Sequence, residues 1–165
     1  MKNDIIAKLK KVSIFESLRD DEQAMEAIAA TIEYKNISAG HAIIKEGDEG
    51  NEMYILNKGT VEVRKNTLAE EPYTVTKLSA DQHAFFGELA LIDNDRRSAS
   101  IIANTDCELL VIRKDKFLQL GDNDSRVGLS VTRNISHILS QRLRKANQDL
   151  ATLYEALVGQ IEETS

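Results

Sequence analysis

The sequence predicts a mainly β domain, a double-stranded β-helix (jelly roll) or related antiparallel sandwich, with helices flanking it at both ends. Three observations carry this. The runs AIIKEG, EMYILNKG, TVEVRK, YTVTKL, SASIIA and CELLVIR follow one another between Ala42 and Arg113 at near-regular spacing. Short β-rich runs punctuated by turn residues are the signature of sandwiches and jelly rolls. Helical periodicity brackets them on either side, and 165 residues suit one core with a helical appendage. The expected division is an N-terminal helical segment over 1–34, a β core over 35–118 and C-terminal helices over 119–165.

Each element has its reason. In residues 4–34, Ile5, Leu9 and Val12 recur at helical spacing, and Asp20-Asp21-Glu22 is an acidic start before Met25, Ile28, Ala29 and Ile32. From about Tyr34 the pattern turns to strands, and Glu70-Glu71-Pro72, with the sole proline, reads as a surface turn. After Lys114-Asp115-Lys116-Phe117 the chain turns helical again, and Asp122-Asn123-Asp124-Ser125 supplies an N-cap before Val127. Beyond it Leu139, Leu143, Ala146, Leu150, Leu153 and Leu157 follow at intervals of 4, 3, 4, 3 and 4. That is a coiled-coil seam, and it predicts a homodimer in which Ala146 permits close approach.

Composition narrows the function. A net charge of −6 gives no general attraction to nucleic acid, so no DNA partner is expected. The cluster Arg142, Arg144, Lys145 reads as a solvated helix face. No apolar run has the length of a membrane span, and Met1-Lys-Asn-Asp does not open a secretory signal. The single cysteine, Cys107, excludes an internal disulfide and reads as a buried small hydrophobe, fitting a reducing, cytoplasmic setting. No enzyme is expected, and no metal. His41, His83 and His137 are far apart, without the strand spacing of a metal site, though His83 stands close enough to line a pocket. P-loop, dinucleotide and zinc patterns are missing.

The most informative stretch is FGELALIDNDRRSASI, Phe86 to Ile101. Gly87 lets a ligand approach the backbone, and the turn Leu89–Ile92 offers amides to an anion. Glu88 can accept a hydrogen bond from a sugar hydroxyl. Arg97, nine residues on, carries a planar fork suited to phosphate, with Ser98 and small Ala99 beside it. Together they can hold a sugar-phosphate.

This stretch resembles the phosphate-binding cassette of cyclic nucleotide-binding domains, FGE(L/I)AL…(P)RxA. Ile37 to Val63, with Gly40, Gly47, Gly50 and Gly59 at turns, resembles the family's first strands, and FESLRDDE from Phe15 its helical entry. The likeness covers roughly residues 12–145. It implies a non-catalytic receptor for cAMP, less readily cGMP, with no other cofactor. Phe86, Gly87, Glu88, Leu89, Ala90, Arg97, Ser98 and Ala99 are then the ligand-binding residues, and the C-terminal helix is a lid that ligand rearranges. The sequence departs from the pattern in having Arg96 where a proline is usual and Ser98 after the key arginine. On the long helix, Ala146 and Asn147 stand where the catabolite activators have Thr and Ser, so Asn147 is the candidate base contact. Those activators continue into a DNA-binding domain about where this sequence reaches Ser165, so output is expected through dimerisation, through an unidentified protein in trans, or through a region outside this sequence. The alternative is a degenerate module, for dimerisation or protein interaction, that binds another ligand or none.

Overall fold

The chain enters through α1 (Lys2–Leu9), a 3₁₀ turn (Ser13–Leu18) and α2 (Glu22–Ala29). The structure, a computed structural model, describes the backbone of residues 2–163 and side chains as far as residue 159. Asp21 caps α2 by accepting from the Ala24 amide at 3.0 Å, as the acidic start predicted.

Eight strands follow: β1 (Glu33–Ile37), β2 (Ala42–Ile44), β3 (Glu52–Lys58), β4 (Thr60–Asn66), β5 (Pro72–Ser79), β6 (Phe85–Phe86), β7 (Ser100–Ala103) and β8 (Cys107–Arg113). They pair antiparallel in two four-stranded sheets, ordered β1-β8-β3-β6 and β2-β7-β4-β5. The single turn α3 (Leu89–Ile92) lies between β6 and β7, and α4 (Lys114–Asn123) and α5 (Ser125–Glu163) complete the chain. The architecture is the expected antiparallel β sandwich with flanking helices and a long C-terminal helix.

Two apolar cores explain the unbroken apolar runs. Along β3 and β8, Tyr54, Leu56, Cys107, Leu109 and Val111 face the sandwich interior. Their alternates Met53, Ile55, Leu110 and Ile112 face a second core formed with the helices. These strands are covered on both faces, so neither shows an apolar–polar alternation. In the second core Val127, Val131 and Ile135 of α5 pack on Ile14, Phe15, Leu18 and Met25, all but sealed from water. Burying each such aliphatic stabilises by about 1.5–3 kcal/mol, so the first half of α5 is firmly anchored.

Several boundaries differ from the sequence expectation. The helical stretch closes at Ala29, and β1 starts at Glu33, drawn into a ladder with β8 from Glu33↔Val111 to Ile37↔Cys107. β1 is an exposed edge without apolar alternation, so nothing local marks it. Pro72 belongs to the first pair of β5, at the free edge of its sheet, where a missing donor is tolerated. α4 starts at Lys114, directly after β8. Asp124 caps α5 by accepting from the Arg126 amide at 3.0 Å. From Ser140 to Leu157 every side chain of α5 is exposed, including Leu143, Leu150, Leu153 and Leu157 at 60–66%. Among the described residues no helix is long and apolar enough to cross a membrane.

Candidate functional site

β6 carries the chain out of the sandwich, with Phe86 stacked on Tyr54 at 5.5 Å between ring centroids. Gly87 follows at φ +76, a conformation that favours glycine; a Cβ there would stand 3.1 Å from the Glu52 carbonyl oxygen. The turn α3 closes tightly, the Ala90 and Leu91 amides donating to the Gly87 and Glu88 carbonyls at 3.2 and 3.0 Å.

Glu88 is 4% exposed. Its carboxylate accepts from the Arg142 guanidinium, which arrives from α5 across 54 positions of sequence. Arg142 is therefore not simply part of a solvated face. No local sequence signal marks this role; it follows from the burial of Glu88 in the fold, since a carboxylate out of water requires a cation or several donors.

Arg97 is held differently. Its backbone amide donates to the Asp48 carbonyl at 2.8 Å, and its own carbonyl accepts from the Gly47 amide at 2.9 Å. The guanidinium donates to the Glu52 carbonyl at 2.8 Å and, more weakly, to that of Gly87 at 3.4 Å. It passes so close to Gly50 that a Cβ there would lie 2.0 Å from Nε. Arg96, by contrast, is exposed, and its guanidinium donates to the Gly47 carbonyl at 2.7 Å. The far end of the cassette is tied to α4, where Lys114 donates to Asn94 Oδ1 at 2.8 Å and to the Asp93 carbonyl.

These parts enclose a cavity of about 400 Å³. Phe86, Gly87, Glu88, Leu89, Ala90, Arg97, Ser98 and Ala99 all line it, so the eight residues picked from the sequence converge. Arg142 lines it too, as do Ile44, Val63, Thr76, Leu78 and Ile101 of the sandwich. Its lining holds three carboxylates, Glu88, Asp93 and Asp95, against three arginines, Arg96, Arg97 and Arg142. Asn147 is exposed and stands outside this lining. It lies five residues beyond Arg142, about 140° further round the helix, so the two point to different sides.

Behind the cassette, Tyr54 donates to the Glu52 carboxylate at 2.5 Å, and Lys35 stands 3.8 Å from that carboxylate. Burial, then the bond to Glu52, pushes the Tyr54 phenol well above its ordinary range. The histidines remain apart. His41 and His137 are exposed, and His83 lies outside the cavity lining with its Nδ1 buried. Burial first, then Lys8 and Lys11, holds the His83 imidazole below its ordinary value. Burial also pushes the Cys107 thiol up. An enclosed acid, an arginine fork, a hydroxyl and an apolar wall can bind a phosphorylated sugar carrying a flat apolar group.

Comparison with known proteins agrees with that chemistry. Human cGMP-dependent protein kinase 2 is 37% identical over 113 residues, 67% of this chain and 14% of the kinase. The cAMP-dependent protein kinase regulatory subunit of Aspergillus niger is 37% identical over 112 residues, 68% of this chain and 26% of that subunit. The chain thus spans about a quarter or less of the length of these relatives. Among solved structures, the catabolite activator protein of Thermus thermophilus superposes with a TM-score of 0.73 at 29% identity, covering 86% of this chain and 62% of that one. The family model for the cyclic nucleotide-binding domain matches residues 34–124. With that match over more than half its length, and the cassette folded around a cavity, the chain belongs to the cyclic nucleotide-binding domain family.

Proposed function

We propose that this chain is a non-catalytic receptor for a purine 3′,5′-cyclic nucleotide, cAMP or cGMP, that couples occupancy to its C-terminal helix. The observation that carries the reading is the pairing of buried Glu88 with Arg142 of α5 inside the cavity that Arg97 and Ser98 also line. Arg97 binds the cyclic phosphate, Ser98 adds a hydroxyl, and Glu88 accepts from the ribose 2′-hydroxyl. A ligand hydroxyl at Glu88 meets the carboxylate that Arg142 already grips, so binding and helix position share one group. Ligand shifts the helix to the extent that it binds one arrangement more tightly than the other. Relatives named for cGMP and for cAMP match at equal identity, so the choice of base rests on the cavity wall.

The bare leucines Leu143, Leu150, Leu153 and Leu157 support a second element of the reading, a homodimer along Leu139, Leu143, Ala146, Leu150, Leu153 and Leu157, although Leu139 at its start is partly packed against the domain's own core. Angular position on α5 places Arg142 on one flank of that seam and Asn147 on the other. In a parallel two-helix dimer, a residue on the flank opposite Arg142 is directed toward the partner's domain, and Asn147 contacts the base there. A module that only dimerises is the competing reading, favoured by the same exposed seam.

Calorimetric titration with cAMP and with cGMP tests the proposal. One of them should bind, and Arg97→Ala should weaken it by about 2–5 kcal/mol, roughly 30-fold and upward. Arg96→Ala should cost about 1 kcal/mol or less, as for an exposed charge. Absence of binding by both nucleotides would leave the dimerisation module standing; equal losses from the two arginine variants would overturn the phosphate assignment.

A further inference from the structure

We infer that Tyr54 is a positioning residue that guards Arg97: by gripping the Glu52 carboxylate it keeps that acid from neutralising the guanidinium, which stays open to a phosphate. The inference rests on the reading of the cavity as a cyclic nucleotide site.

It starts from the partners of Arg97. The guanidinium donates to two backbone carbonyls, those of Glu52 and Gly87, and among the described residues it forms no ion pair. Glu88, the buried acid of the cavity, is taken by Arg142. Another acid is nevertheless at hand. Glu52 supplies the carbonyl that Arg97 holds at 2.8 Å, so its carboxylate is only one side chain away. Arg97, Glu52 and Tyr54 together line a second cavity, of about 340 Å³, while Glu52 and Tyr54 stay out of the lining of the nucleotide cavity. Arg97 is thus a partition, with the phosphate seat on one side and a carboxylate on the other.

The carboxylate is held where it is by two groups. Residues 52 and 54 fall on the same face of β3, and the Tyr54 hydroxyl donates to Glu52 Oε2 at 2.5 Å. Lys35 stands 3.8 Å from the same oxygen and 5.6 Å from the centre of the Tyr54 ring. In the sheet, β1 and β6 lie on opposite sides of β3. Lys35 on β1 therefore draws the carboxylate away from the cassette, which begins after β6.

Tyr54 suits this task. Its ring is 3% exposed and stacked on Phe86, so the hydroxyl cannot swing aside. Burial and the bond to Glu52 push the phenol well above its ordinary range, so it remains a donor at any working pH. The Arg97 charge opposes that shift, which sets the guanidinium within electrostatic reach of the same group. Once the hydroxyl is gone, the nearest fork of donors for Glu52 is Arg97, and Lys35, 45% exposed, is the weaker rival. A phosphate then has to displace a carboxylate rather than water.

Calorimetric titration with cAMP and cGMP compares native protein, Tyr54→Phe, Glu52→Gln and the double variant. Tyr54→Phe keeps the ring and should weaken the nucleotide that native protein binds by about 3- to 10-fold. Glu52→Gln has no charge to release and should bind within about 2-fold of native. The double variant should return to the Glu52→Gln value, because Tyr54 acts only through the carboxylate. Native affinity in Tyr54→Phe would overturn the guard. So would a double variant as weak as Tyr54→Phe, which would assign the tyrosine to packing alone. Native protein that bound neither nucleotide would instead overturn the cyclic nucleotide reading beneath it.

Discussion

Gly50→Ala should impair ligand binding while leaving the fold almost untouched. A Cβ at Gly50 would lie 2.0 Å from Arg97 Nε and 2.4 Å from both Cζ and Nη2, far inside contact distance. The atoms it meets belong to the end of a long side chain, so the arginine moves rather than the backbone. What it gives up is its seat: the 2.8 Å bond to the Glu52 carbonyl and the weak 3.4 Å contact to Gly87. A good hydrogen bond from a charged donor is worth about 1.5–3 kcal/mol, so the misplaced guanidinium should cost roughly 10- to 150-fold in cyclic nucleotide affinity. Stability should change by less, about 1 kcal/mol, because the displaced arginine can reach water. Calorimetry of native, Gly50→Ala, Arg97→Ala and the double variant reads this as a cycle. The double variant should bind no more weakly than Arg97→Ala alone, since both changes remove one positioned group. Independent, additive losses would show that Gly50 does not act through Arg97, and native affinity in Gly50→Ala would refute the seating argument outright.

Three further outcomes are expected. Arg142→Ala removes the cation from buried Glu88 and should destabilise the domain by about 1–3 kcal/mol in urea unfolding, below the cost for a wholly buried pair because Arg142 is half in water. Adding Glu88→Gln should recover part of that loss; an Arg142→Ala protein as stable as native would mean the pair contributes nothing. Leu150→Lys, a charge in the bare leucine row, should abolish a dimer in sedimentation and alter ligand affinity, and native protein that is monomeric with and without nucleotide would dispose of the seam. His83 is held below its ordinary value by burial, by Lys8 of α1 and by Lys11 just beyond that helix, with Asp81 opposing. The unfolded chain therefore takes up that proton first, so stability is full above about pH 6.5 and declines as pH falls through it. His83→Asn, suited to the left-handed φ of 52, should flatten this decline in Tm; identical slopes in the two proteins would count against His83 as its source.

The fold was legible where chemistry is local. Asp21 and Asp124 announced their helices because a capping carboxylate works within three residues. The apolar runs at β3 and β8 announced strands because both of their faces are covered. β1 was not legible as an edge, since its register is imposed by β8, some seventy residues downstream. β6 is two residues long, too short for any period, and owes its pairing to Tyr54 and Ile55. The cassette could be read because Gly87, Glu88, Arg97, Ser98 and Ala99 lie close in sequence. Arg142 and Thr76 reach the same cavity from α5 and β5, and only tertiary packing brings them there. Asn147 shows the converse: position along a helix is visible in sequence, but the side it faces is fixed by where the helix is anchored.

That anchoring makes α5 a lever. The fulcrum is the packed segment from Val127 to Ile135, set among the N-terminal helices. From Ile135 to Leu157 the helix runs on for about 33 Å at 1.5 Å per residue. A rotation of only about 10° at the fulcrum sweeps the far end through roughly 6 Å, more than the pitch of one helical turn. A small change of angle where the 3₁₀ turn and α5 meet would thus be enlarged several-fold at the leucine row. Arg142 sits barely two turns past the fulcrum, so its ion pair with Glu88 ties the base of the arm to the cavity wall.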